Sequence, residues 1–419
     1  MRLTTSLVVP AAGVTLALAV TAAGQTLPDP YVGGGVPTNT TILRCNGDDP
    51  AAIIAGCTAI IGSRQSGATM RSGALINRGR AYLRLGQNDR AIADFEAAVR
   101  ADPRNSRALA NRGAFHQAQR DFDRAVKDYS SAIAVNPRDV EALNQRANVH
   151  MLRGDYDKAV ADYDRAIGIN PRFAAVYAGR GEAYRVAGEL DRAVGDFERA
   201  IGLEPGFAVA FDKRGLVHSE RHDYVRAIED FDRALALDTA LTAVYAHRAI
   251  AYAGSGAIER ALTDFDQALK ADPSDRPSHV GRGTLFLQQG QLDRAIADYD
   301  RAIMLDATFA DAFYNRGTAY ARGGDFAAAL RDFDQAIVLD PTLLGAFASR
   351  GLAYVKAGEY ARAIPDLDRA VLLAPGNALV LYNRGLAKRQ TGDIAGGDAD
   401  VAHARTIDPN IERLDTTPM

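Results

Sequence analysis

The sequence predicts an all-α protein, a solenoid of ten stacked helical hairpins, and three observations carry that prediction. Stepping by 34 from Gly79 gives Gly113, Ala147, Gly181, Gly215, Ala249, Gly283, Gly317, Gly351 and Gly385, with no slip in register. The residue before each is arginine, from Arg78 to Arg384, and fifteen residues after each stands an aspartate, from Asp94 to Asp400. Four residues beyond every aspartate is an alanine, from Ala98 to Ala404. A period of this size, kept this strictly, means stacked units that cannot bury their apolar faces alone.

The first element is a leader. After Met1-Arg2 nothing from Leu3 to Pro28 is charged, Leu7 to Val20 is mostly aliphatic, and Ala22, Ala23 and Gly24 supply small residues. That order is expected of a secretory signal peptide over residues 1–24. The run is also long enough to be read as an anchor, but Pro10, Gly13 and the A-x-A-like end favour cleavage. An exported, periplasmic location follows from that reading, with no membrane attachment after cleavage.

Residues 25–71 are expected to form a linker and an N-terminal cap. Ala52-Ile53 to Ala59-Ile60 repeats the spacing of Ala91-Ile92 to Ala98-Val99, so residues 42–62 read as one helix and its lead-in. The chain has two cysteines, Cys45 and Cys57. In an exported chain such a pair is expected to form a disulfide; a zinc site would need further Cys or His ligands close by. Residues 63–71 read as a short joint.

Each of the ten units over residues 72–411 reads as two helices. In the copy at 310–341 the first helix is expected from Ala310 to Arg322, with Phe313, Gly317 and Tyr320 at helical spacing. Gly323-Gly324-Asp325 break and recap the chain. The second helix is expected from Ala327 to Leu339, with Ala329, Leu330, Phe333, Ala336 and Ile337 on one face. Asp340-Pro341 ends it, since a residue before proline avoids the α region. Residues 412–419 form a tail.

This pattern resembles the tetratricopeptide repeat, whose small residue, aromatic, Ala, aromatic, Ala and Pro are met by Gly317, Tyr320, Ala329, Phe333, Ala336 and Pro341. The resemblance covers residues 72–411 and implies a right-handed superhelical solenoid of ten 34-residue helix-turn-helix repeats. The chain departs from it in having no Trp, in Thr239 and Ala307 at the proline position, and in Lys388, Gly397 and Val401 in the last copy. A solvent-facing terminal unit accounts for the last of these. A two-cysteine cap ahead of the repeats looks like that of exported bacterial members.

The invariant Arg and Asp are expected to pair. The aspartate lies beside core alanines, and a carboxylate desolvated alone costs several kcal/mol. Arginine from the first helix is its natural partner, within a copy or across to the next. A ladder written ten times is scaffold rather than a catalytic site.

Function is expected on the face of the first helices that varies from copy to copy. The resemblance implies that these helices line a concave groove for a protein or peptide. The candidate residues are Asn77, Arg80, Arg84, Asn111, Asn144, Asn148, Tyr314, Asn315, Arg322, Lys356, Tyr382, Asn383 and Arg389, with Arg107, Glu182, Asp212 and Glu220 on the same face. Amides can donate to and accept from an extended backbone, and aromatics with arginines anchor interfaces. Ile76, Ala110 and Asn144 stand where the family's carboxylate clamp needs lysine, so that function does not carry over.

The formal charge is −3 with both signs interspersed, which argues against a nucleic-acid surface. G-x-S-x-G, H-E-x-x-H and phosphate-cradling loops are absent from the sequence. His116, His150 and His218 take places that Tyr82 and Tyr184 fill elsewhere, and read as packing residues. The expectation is therefore a non-enzymatic scaffold without cofactor or metal, acting in bacterial envelope assembly. The alternative is an accessory subunit that binds a polysaccharide or small ligand, with Tyr314 and Tyr382 stacked on sugar rings.

Overall fold

The computed structural model describes residues 38–413, which fall into two compact units, residues 38–217 and 218–413. The leader expected at 1–24 and the last six residues of the tail lie outside the described residues. Among the described residues every regular element is a helix.

The cap is itself a hairpin, α1 (Asn39–Cys45) and α2 (Pro50–Gly62), so the expected lead-in is a second helix. Asp49 caps α2 by accepting from the Ala52 amide, and Pro50 fills the first helical position, where no N–H is needed. Cys45 and Cys57 form the disulfide that clamps α1 to α2, and both are buried. Closing so short a loop is worth about 3 kcal/mol in the chain-entropy model. Reduction is therefore expected to speed amide exchange by more than a hundredfold over residues 39–62 while residues 218–413 keep their protection. Unchanged exchange in the cap would overturn this.

Four hairpins follow in the first unit. These are α3 (Ala68–Arg84) with α4 (Asn88–Ala101) and α5 (Ser106–Ala118) with α6 (Phe122–Val135). Next come α7 (Val140–Arg153) with α8 (Tyr156–Ile169) and α9 (Ala174–Val186) with α10 (Leu190–Leu203). The fifth copy supplies α11 (Ala208–Glu220), within which the units divide, and α12 (Tyr224–Leu237). In the second unit come α13 (Ala243–Gly254) with α14 (Ile258–Ala271) and α15 (Arg276–Gln288) with α16 (Leu292–Leu305). The last three pairs are α17 (Ala310–Arg322) with α18 (Phe326–Leu339), α19 (Leu344–Lys356) with α20 (Tyr360–Leu373), and α21 (Ala378–Gln390) with α22 (Ile394–Ile407). A single 3-10 turn, Ile411–Arg413, closes the described chain.

The invariant small residue is explained by α17 and α18. A Cβ on Gly317 would lie 2.8 Å from the Phe333 ring, which fills the space between the two helices. After α17 the chain reverses through Gly324 at φ 84°, and Arg120 and His222 adopt the same left-handed turn in their copies. Proline is not needed to end the second helix: α12 and α16 stop at the same place before Thr239 and Ala307. There Asp238 and Asp306 accept hydrogen bonds from the Ala240 and Thr308 amides, making a side-chain-closed turn.

Second helices also pack on the first helix of the following copy, as α4 does on α5 and α16 on α17. Successive first helices touch within each unit, α3 with α5, α5 with α7 and α7 with α9, then α13 through α21 in alternation. Among the described residues no comparable contact joins successive second helices within a unit. Each stack is therefore tighter on its first-helix side.

The ladder runs through both units. Arg316 Nε and Nη2 donate to the two carboxylate oxygens of Asp332 at 2.8 and 2.7 Å, a bidentate fork within one copy. Its Nη1 donates to Asp300 of the preceding copy at 2.5 Å. Arg180, Arg248, Arg282, Arg350 and Arg384 repeat both contacts, reaching back to Asp164, Asp232, Asp266, Asp334 and Asp368. Where the preceding copy lacks that aspartate, Arg78 takes Thr58 and Arg146 takes Ser130. Hydrogen bonds to these carboxylates, against the cost of burial, raise the pKa of Arg180, Arg316 and Arg350 above the ordinary guanidinium value.

Candidate functional site

The variable face of the first helices divides into residues already engaged and residues left open. In the middle of α3, Asn77 Nδ2 donates to the Cys45 carbonyl at 3.3 Å and to Asn46 Oδ1 at 2.8 Å. Arg84 Nη1 donates to the Asp48 carbonyl at 3.2 Å. Both side chains thus hold the turn between α1 and α2 onto the first repeat.

The other asparagines are mostly committed as well. Asn111 and Asn383 donate to the carbonyls of Arg107 and Leu379, one turn back on their own helices, each at 2.8 Å. Asn383 is only 2% exposed. Asn148 Oδ1 accepts from the Tyr163 hydroxyl at 2.6 Å, which leaves its amide N–H groups for other partners. Asn144 is 7% exposed, and its Oδ1 is buried with no hydrogen-bond partner. Asn315 is half-buried on α17.

The two tyrosines expected to face a ligand are packed instead. Tyr314 lies 6.2 Å, ring to ring, from Phe333, and its hydroxyl end covers Gly345 on α19. Tyr382 is 8% exposed and belongs to the terminal core with Leu381, Val401, Ala404 and Ile411. A last repeat has no successor to cover it, and the 3-10 turn at Ile411 does that here. Nothing in the 34-residue pattern signalled this, because the turn lies at the end of the pattern.

Of the cationic residues, Arg322 is exposed and donates to the Leu287 carbonyl at 3.2 Å, and Arg389 pairs with Asp398 at 2.7 Å. Lys356 is exposed. Arg80 and Arg107 are exposed and make no hydrogen bond or ion pair through their guanidinium groups. In the middle of the first unit Glu182 is buried and forked by Arg185, at 2.8 and 2.9 Å.

Asp311, one turn before Asn315, is half-buried without an ion-pair partner. Burial first, and then the Asp340 carboxylate, raise its pKa above the usual carboxylate value. Asp311, Asn315, Thr318 and Arg322 share one face of α17 at helical spacing.

Three of the histidines sit beside ladder aspartates. His116 and His218 each lie 3.9 Å from the ladder aspartates Asp128 and Asp230, and His279 lies 3.2 Å from Asp298. His150 is buried, and that burial lowers its pKa despite Asp162 and Asp155 nearby. Among the described residues no three His, Cys, Asp or Glu side chains converge on a point that could hold a metal ion. No described helix is long and apolar enough to cross a membrane.

Comparison with known families adds to this picture. Models described as tetratricopeptide repeat match residues 72–105, 116–175, 153–206, 213–276, 310–343 and 349–397, and one described as TPR repeat matches 283–324. No curated protein matches significantly. Among solved structures, the APC/C hetero-tetramer Cut9-Hcn1 aligns at a TM-score of 0.51 and 16% identity, over 87% of this chain and 83% of that one. A tetratricopeptide repeat protein from Parabacteroides merdae aligns at 0.48 and 21% identity, over 62% of this chain and 98% of that one. YrrB, described as a TPR protein with an unusual peptide-binding site, aligns at 0.37 and 24% identity, over 45% and 97%. The repeating Arg, Gly or Ala, and Asp of the sequence, the helical hairpins they build and the matches along most of their length agree: this chain belongs to the tetratricopeptide repeat family.

Proposed function

We propose that the chain is an exported scaffold that holds a protein or peptide segment against its first-helix face, in the assembly of a bacterial envelope. The observation that carries this reading is a contrast between two sets of polar groups. The ladder arginines are paired in copy after copy, whereas Arg80, Arg107, Asp311 and Lys356, on the variable face, have no ion-pair partner. Polar groups of both signs, half-buried or lying on the tighter side of the stack, suit an extended backbone with mixed side chains. Export is supported by the Cys45–Cys57 disulfide, since such bonds persist in oxidising compartments.

The polysaccharide reading loses its anchors, because Tyr314 and Tyr382 are used in packing. No specific observation now favours it over a peptide.

Panning a random dodecapeptide library against the disulfide-intact chain tests the proposal. Selected peptides are expected to bind the wild type and to weaken at least tenfold on the variant Asp311→Lys with Lys356→Glu, whose circular dichroism stays helical. Selected peptides that bind this variant and an Arg80→Glu, Arg107→Glu variant as tightly as the wild type would remove the face from consideration.

A further inference from the structure

Three arginines at the head of the first-helix face stand out from every arginine of the ladder. Arg80 and Arg84 lie one turn apart on α3, and Arg107 lies in the first turn of α5, which packs on α3. All three are exposed. None has a carboxylate within ion-pair distance, and the one hydrogen bond their guanidinium groups make is from Arg84 to the Asp48 carbonyl. Like charges one turn apart on a helix repel. Desolvation by the surrounding protein, then the charges of Arg84 and Arg107, pull the Arg80 pKa below the ordinary guanidinium value, opposed by Glu141. The fold thus tolerates a clustered positive charge here, while ladder arginines such as Arg180, Arg316 and Arg350 each meet two carboxylates.

We infer that Arg80, Arg84 and Arg107 form an anion subsite that takes the carboxylate side chains of an acidic peptide segment. This rests on the peptide-holding reading above and names the chemistry of one end of it. Guanidinium groups offer paired donors that match a carboxylate. The surroundings favour a peptide over a uniform polyanion. Glu141, in the first turn of α7, is exposed and close enough to act on Arg80, so a chain negative at every step would meet it unfavourably. One turn along α7 is Asn144, whose buried Oδ1 lacks a donor, and a peptide N–H supplies one. Asn148, a further turn along, has its oxygen filled by Tyr163 and keeps its N–H groups for a peptide carbonyl. The cap forms one wall, since the disulfide-closed turn carrying Asp48 holds Arg84 in place.

The test uses the full disulfide-bonded chain and two fluorescein-labelled, C-terminally amidated dodecapeptides that differ in four consecutive Glu or Gln residues. Fluorescence anisotropy at low salt is expected to show at least tenfold tighter binding of the Glu peptide. The preference should vanish on Arg80→Gln with Arg107→Gln, at an unchanged melting temperature, and should shrink as salt is added. Equal binding of both peptides by the wild type overturns the subsite. If library-selected peptides still bind in that case, the scaffold reading survives without it; if no peptide binds at all, both fall. Dextran sulfate binding more tightly than the Glu peptide, with the same dependence on Arg80 and Arg107, would overturn the assignment to a peptide.

Discussion

Replacing Arg316 by alanine is expected to destabilise the region around α17 and α18 by about 3–5 kcal/mol, the cost of leaving one partner of a buried ion pair alone. Asp332 has a side chain only 9% exposed and receives two hydrogen bonds from Arg316. Without them its carboxylate must stay charged in a poorly solvated place or take up a proton. The third contact, to the half-exposed Asp300, adds little, because exposed pairs are worth about 0–1 kcal/mol. Repeat stacks lose stability locally, so a single melting temperature is a blunt probe. Amide exchange over residues 310–339 is the sharper one and should accelerate by at least a hundredfold. Joint replacement, Arg316→Met with Asp332→Leu, is expected to recover most of the loss, since an apolar pair of similar volume leaves no charge stranded. Protection in Arg316→Ala equal to wild type would show that the ladder is decoration.

Tyr382→Ala is expected to cost about 3–5 kcal/mol, as for other large aromatic truncations in cores. The ring is buried among Leu381, Val401, Ala404 and Ile411, the last of which is 1% exposed. Losing it opens a cavity and removes the largest of the side chains clustered with Ile411 of the 3-10 turn Ile411–Arg413. The last hairpin, α21 and α22, should become the first site of limited proteolysis. Lys356→Ala, on the exposed end of α19, should change stability by less than about 0.5 kcal/mol. A Tyr382→Ala chain that resists protease as the wild type does would return Tyr382 to the binding face.

The sequence by itself determined the unit. Its Gly or Ala at 34-residue spacing, the aromatic and alanine positions of the second helix, and the turn before Pro341 specify helical hairpins because each choice is local to one copy. It also determined that Arg316 and its equivalents pair with the fixed aspartates, but only the structure shows that the bidentate fork forms within one copy. The sequence carries a second signal: the aspartate two residues after the ladder aspartate, as in Asp162 and Asp164, supplies the contact to the next copy's arginine.

Tertiary structure decided what covers the variable face. Asn77 and Arg84 are held by the cap, Tyr382 by the 3-10 turn, and Tyr314 by the neighbouring Phe333 and Gly345. A repeat pattern tells which side of a helix points away from its own hairpin. At the ends of a stack, though, that side meets segments with no counterpart in the repeat, and whether they fold onto it depends on contacts between residues far apart in the chain. Arg80, Arg84 and Arg107 read from the sequence as three surface cations; only the packing of α3 on α5, with no carboxylate within ion-pair distance, makes them a single positive site.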